Sequence, residues 1–130
     1  MIGLDTNVIV RYLIEDDPAQ ARAAAKMIDS LSEENPGFLS LVVMAELVWV
    51  LEASYGFEKN EIVKVIENLL RSEELIVEQT ELVAQALRIF RVNRAGFTDC
   101  LIERCGDAAQ CHYTATFDKH AAAAGMRLLH

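Results

Sequence analysis

Positive charge is what this sequence has too little of for a nucleic-acid-coating protein. Twelve Lys and Arg stand against 20 Asp and Glu in 130 residues, a net charge of −8. That argues against a broad basic face that grips phosphates. A local grip through a metal ion and a few arginines is not excluded, and a basic partner would suit the balance. No apolar run approaches the length of a membrane span. No basic segment leads into a long apolar run at the N-terminus, so no secretory leader is legible and the chain reads as cytoplasmic. Cysteine is scarce and odd in number: Cys100, Cys105 and Cys111. In a reducing compartment that argues against structural disulfides. Their spacing, with His112 adjoining, does not match paired zinc ligands, and the thiols read as small buried hydrophobes. There is no phosphate-cradling glycine loop and no Ser-His or Cys-His constellation, so His112 and His120 have no nucleophile to serve. Repeats, linkers and low-complexity tracts are absent too. With 52% apolar residues, the whole of 1–130 fits a single domain with an ample core.

What is present alternates between short apolar runs and helical patterns. Residues 1–4, 38–39, 75–77, 113–117 and 127–129 read as five short strands. The first helix is expected over 6–14. The next is started by Asp17 and Pro18 and runs to about residue 32. Residues 41–54 are too long for a strand and read as a buried helix ended by Gly56. Residues 58–71 form an amphipathic helix. A helix capped by Thr80 is expected to reach about Arg94 and to be closed by Gly96. Another, capped by Thr98, runs from Asp99 to about Ala109, and a short one spans 119–124. Strands separated by helices imply an α/β fold, a mainly parallel sheet with helices on both faces. Ligands of such sheets bind beyond the carboxyl ends of the strands.

Four acids fall where such a fold can use them. Asp5 ends the first strand, Glu46 interrupts the apolar helix, Asp99 opens a helix and Asp118 follows the fourth strand. Four carboxylates at one point repel one another unless a cation joins them, and an all-oxygen site suits Mg²⁺ or Mn²⁺. Ordinary roles compete. Asp5 and Asp118 are placed as helix caps, and Asp99 complements a helix dipole. Glu46 has no capping role within its apolar helix. Its ordinary reading is a narrow polar stripe that reaches solvent, or a buried partner such as an arginine. Failing those, an unpaired buried carboxylate is costly enough to call for a cation. Thr6, Asn7 and Thr116 flank the acids as caps, or as groups that orient carboxylates and water. Arg88, Arg91 and Arg94, at i, i+3 and i+6, are either a solvated face or phosphate contacts, and Lys119 is a further candidate.

The motifs around these acids resemble a family. Ile2-Gly3-Leu4-Asp5-Thr6-Asn7 is similar to the first motif of PIN-domain ribonucleases. Met44-Ala45-Glu46-Leu47 resembles their glutamate helix, Phe97-Thr98-Asp99-Cys100-Leu101-Ile102 their third motif, and Thr114-Ala115-Thr116-Phe117-Asp118 the fourth. The order agrees over essentially the whole chain, and a single short PIN domain looks most like the VapC-type toxin of a type II toxin–antitoxin pair. The resemblance implies a PIN-like three-layer α/β/α fold. It implies a Mg²⁺- or Mn²⁺-dependent endoribonuclease with metal held by Asp5, Glu46, Asp99 and Asp118. It also implies a small cognate antitoxin and a homodimer. Glu103 and Asp107 depart from it, adding acid to a helix that often carries small residues there. Two rivals remain: a haloacid-dehalogenase-like phosphatase, against which Asn7 stands two residues after Asp5 where a second aspartate is needed, and a non-catalytic PIN-like binding module.

Overall fold

The computed structural model describes residues 1–130. Two compact units divide the chain, residues 1–78 and 79–130, and each has its own short parallel sheet.

The first unit runs β1 (Ile2–Gly3), α1 (Thr6–Leu13), α2 (Pro18–Asp29), β2 (Gly37–Leu39), α3 (Leu41–Tyr55), α4 (Lys59–Arg71) and β3 (Leu75–Val77). Its strands stand in the order β1-β2-β3, with Ile2 opposite Gly37 and Gly37 opposite Leu75. Parallel neighbours need crossover helices, and the helix pairs α1–α2 and α3–α4 supply them. Caps fix where the helices begin. The Asp17 side chain accepts from the Gln20 N–H at 3.1 Å, ahead of Pro18. The Ser40 hydroxyl accepts from the Val43 N–H at 3.1 Å. Glu58 and Glu61 form a reciprocal capping box at the start of α4. Gly56, with φ of +67°, ends α3 in the left-handed conformation that glycine adopts without a Cβ clash. Met44, Leu47, Val48 and Leu51 of α3 and Ile62, Ile66 and Leu69 of α4 bury their helical faces. At the far end of α1, Arg11 bonds Asp16 at 2.8 Å and the Tyr55 hydroxyl at 3.2 Å, and that hydroxyl donates to Asp16 at 2.9 Å.

The second unit runs α5 (Thr80–Val92), α6 (Phe97–Ala108), β4 (Ala115–Thr116), α7 (Lys119–Ala122) and β5 (Arg127–Leu128). Ala115 pairs with Arg127 and Thr116 with Leu128, in parallel, through the crossover α7. Phe90 of α5 meets Phe97 of α6 edge to face, centroids 6.0 Å apart. A Cβ on Gly106 would lie 2.3 Å from the Thr114 hydroxyl oxygen, so only glycine lets that segment lie this close to α6.

The α/β class, the parallel pairing and the five short strands are as expected, with the strands distributed as three and two. Helix ends differ. Gln79, not Thr80, is the N-cap of α5, in a left-handed conformation with φ of 54°. This helix ends at Val92, so Arg94 lies beyond it and the arginine stripe has only Arg88 and Arg91 on helix. Gly96 is the N-cap of α6 rather than the end of α5. Phe97, 1% exposed, is the first residue of α6. Burying that ring against Phe90 starts the helix two residues early and carries Thr98 and Asp99 inside its first turn. No helix is long and apolar enough to cross a membrane.

Candidate metal centre

The first unit brings two of the four acids to the carboxyl edge of its sheet. Asp5 follows β1 and occupies the N-cap position of α1, with extended backbone at φ of −79°, yet its side chain makes no capping bond. The capping role is therefore not what uses this carboxylate, and the residue is exposed. Glu46 lies in the second turn of α3, which begins just past β2.

Here the structure realises the ordinary reading of Glu46, a polar stripe that reaches solvent, and not the buried carboxylate: Glu46 is exposed. Val42 and Trp49, four residues before and three after it on the same face of α3, are exposed with it, at 76% and 65%. The carboxylate escapes the desolvation cost by reaching water. It also has a partner. Thr6, next to Asp5, is 3% exposed and is the one buried polar residue of the protein. Its hydroxyl donates to Glu46 Oε1. That bond ties the first turn of α1 to α3 and sets one Glu46 oxygen at the start of α1, beside the residue that carries Asp5. Thr6 thus contacts one of the four acids directly. Asn7 is exposed on α1 and lines a shallow groove with Arg11, Gln20 and Met27.

Sequence reasoning passed over Glu78. It follows β3 as Asp5 follows β1, which was the available signal. Its Oε1 accepts from the Leu41 N–H at 2.8 Å, so it satisfies a free amide at the N-terminus of α3.

The second unit holds the other two acids. Asp99 is half-buried in the first turn of α6, third residue from its start. One of its oxygens lies 3.6 Å from where a Gly96 Cβ would be, folded back towards the positive end of the helix dipole. Asp118 does cap: Oδ1 accepts from the His120 N–H at 2.8 Å. The Thr116 hydroxyl oxygen in turn accepts from the Asp118 N–H at 3.0 Å, so Thr116 holds Asp118 in place. The ordinary reading of Asp118 is thus realised with one oxygen, leaving the other for a ligand. Arg88, Arg91, Arg94 and Lys119 are all exposed. Of the cysteines only Cys100 is buried, whereas Cys105 is half-buried and Cys111 exposed, so the buried-thiol expectation holds for one of three. Arg104 pairs with Glu103 at 2.6 Å and with Asp107 at 3.6 Å, which neutralises much of the extra acid on α6.

The donor chemistry fits a hard divalent cation. Every candidate atom is a carboxylate oxygen, with no imidazole or thiolate among them. Neither unit by itself gathers three His, Cys, Asp or Glu side chains into a cluster able to hold a metal ion.

The profile of the PIN domain family matches residues 2–125, and the chain belongs to that family, whose fold is α/β/α in three layers. Over 99 residues it is 28% identical to a VapC ribonuclease of Aquifex aeolicus (strain VF5), covering 75% of this chain and 73% of that protein. Membership sets aside the dehalogenase-like phosphatase.

Proposed function

We propose that this PIN-domain protein is a Mg²⁺- or Mn²⁺-dependent endoribonuclease of the cytoplasm, the toxin of a type II toxin–antitoxin pair. Residues 1–130 would act as one nuclease domain. Asp5 and Asp99 would be the main metal ligands, with Glu46 and Asp118 completing the set directly or through water. The contact between Thr6 and Glu46 carries this reading. The one buried polar group of the protein is spent on aiming a solvent-exposed carboxylate, which stability alone does not require. Likeness to a VapC ribonuclease supports the RNA substrate.

A bound divalent ion supplies Lewis-acid polarisation of the phosphoryl oxygens and a water acidified for in-line attack. The chain's own residues do the rest. Thr6 fixes the Glu46 rotamer, so less entropy is lost when that carboxylate takes up its ligand. Thr116 does the same for Asp118 through its backbone, and Asn7 orients water. Arg88, Arg91, Arg94 and Lys119 would hold RNA phosphates, arginine being suited to bidentate contact.

An antitoxin of basic, amphipathic character suits the surface. A cleft of about 510 Å³ in the first unit is lined by Ile9, Leu13, Leu31, Val65 and Leu69, with Asp29 and Glu74 as its acidic groups. The net charge of −8 adds long-range attraction for such a segment. A homodimer is the assembly this family reading implies. RNA cleavage assayed with Mn²⁺, with chelator, and with Asp5→Asn tests the function; metal-independent cleavage would refute it.

A further inference from the structure

We infer that Glu78 positions Glu46 for its metal ion by clamping the turn from β2 into α3; this rests on the reading of Glu46 as a metal ligand. Glu78 follows β3 and bonds on both sides of Ser40, the residue between β2 and α3. Its N–H donates to the Leu39 carbonyl at 2.8 Å. Its Oε1 accepts from the Leu41 N–H at 2.8 Å. The second bond reaches across 37 residues of sequence. It is not the N-cap of α3, because the Ser40 hydroxyl fills that role by accepting from the Val43 N–H.

What the clamp fixes is the helix that carries Glu46. α3 is apolar nearly all round. Apolar burial is non-directional, so burial by itself does not choose the rotation of such a helix or its place along its axis. Directional bonds do. Glu78 holds the first turn of α3, the Thr6 hydroxyl meets Glu46 in the second, and Tyr55 is tied to Arg11 and Asp16 at the far end. Sliding α3 by the rise of one residue, about 1.5 Å, would break the Thr6 bond, since such bonds tolerate only about 0.5 Å. Glu78 thus acts on the ion through Glu46, as a positioning residue. Its charge has a separate effect, complementing the positive end of the α3 dipole, and the two are separable by substitution.

Glu78→Gln keeps an oxygen for the Leu41 amide and loses the charge, whereas Glu78→Ala loses both. Leu41→Pro removes the donor instead. Proline suits the first helical position, and Ser40 before it already has extended backbone, with φ of −72° and ψ of 162°. Mn²⁺ affinity is measured by titration calorimetry on the folded proteins without RNA. Glu78→Ala and Leu41→Pro are expected to weaken it by roughly 2- to 30-fold, and Glu78→Gln to retain most of it. In a Glu46→Gln background, Glu78→Ala should weaken it no further, because the clamp acts through Glu46. Should Glu78→Ala fail to fold, Leu41→Pro carries the comparison. Equal weakening by Glu78→Gln and Glu78→Ala overturns the inference and makes Glu78 a charge or a ligand in its own right. Further weakening in the Glu46→Gln background overturns it too. Wild type that takes up no Mn²⁺ removes the metal-site reading itself. Wild type that binds Mn²⁺, with Glu78→Ala or Leu41→Pro binding it equally well, removes only the clamp.

Discussion

The hydroxyl of Thr6, in the first turn of α1, donates to the carboxylate of Glu46 on α3, forty residues away in sequence. It joins the helix that follows β1 to the helix that follows β2. Each of those helices carries or adjoins an acid proposed to bind metal. The bond is therefore a positioning device, and its removal is expected to show in metal dependence before it shows in stability.

Thr6→Val keeps the shape and deletes the donor. Glu46 remains solvated, so the stability loss should stay within about 1 kcal/mol. Loss of an orienting partner typically costs a metal site roughly 10- to 100-fold in affinity or activity. The half-saturating Mn²⁺ concentration for RNA cleavage should rise by that order, and Thr6→Ser should recover most of it. An unchanged Mn²⁺ dependence in Thr6→Val would show that the bond is only structural.

Asp118 has two candidate roles that one pair of variants separates. It caps α7 through the His120 N–H. Asparagine can accept the same bond, whereas alanine cannot, at a cost of about 0.5–2 kcal/mol. Asp118→Asn is thus expected to melt like wild type and to cleave RNA more slowly, and Asp118→Ala to lose both stability and activity. Full activity in Asp118→Asn, measured beside a melting curve, would leave Asp118 as a cap alone.

Gly106 offers a sign change. Alanine in a helix interior ordinarily gains about 0.5–1 kcal/mol over glycine. Here the new Cβ would lie 2.3 Å from the Thr114 hydroxyl oxygen, and overpacking of that kind costs about 1–3 kcal/mol. Gly106→Ala alone should destabilise. In a Thr114→Ala background it should stabilise, and urea titrations of the four proteins read the coupling. Additive effects would mean that Thr114 swings aside freely.

The clamp at the far end of α1 predicts a pH dependence. The Asp16 carboxyl is held below its ordinary value of 3.8, first by the Tyr55 hydroxyl bond and then by the charge of Arg11. A lowered carboxyl pKa contributes stability above the unfolded value, lost as pH falls through the folded value. Tyr55→Phe should therefore lower Tm near neutrality, and the two Tm-against-pH curves should converge below about pH 4. Parallel curves down to the most acidic pH would place the effect of Tyr55 in packing.

Much of this was legible in the sequence, and what was not has physical causes. Asp17-Pro18 and Gly56 announce helix ends through local chemistry, which the fold does not override. The four acids and Thr6 are visible because each adjoins an apolar run. The exposure of Glu46 was one of two open readings, undecided because α3 is apolar nearly all round, so its periodicity carries no sign of which side meets water. The burial of Phe97 against Phe90 is a tertiary contact, and it moved the start of α6 past Thr98, the residue that local preference favours as a cap. Glu78 went unread because satisfying the Leu41 amide depends on strand order, which no local pattern shows.

The central claim is that Asp5 holds a catalytic divalent ion for RNA hydrolysis. Cleavage of a single-stranded RNA in Mn²⁺, compared between wild type and Asp5→Asn at matched folding, tests it most directly. Asp5→Asn is expected to lose activity by about 100-fold or more, as when one ligand of a metal-assisted reaction is removed. The same loss is expected for wild type in chelator, with an unaltered circular dichroism spectrum for the variant. Cleavage by Asp5→Asn at the wild-type rate, or by wild type in chelator, would contradict it.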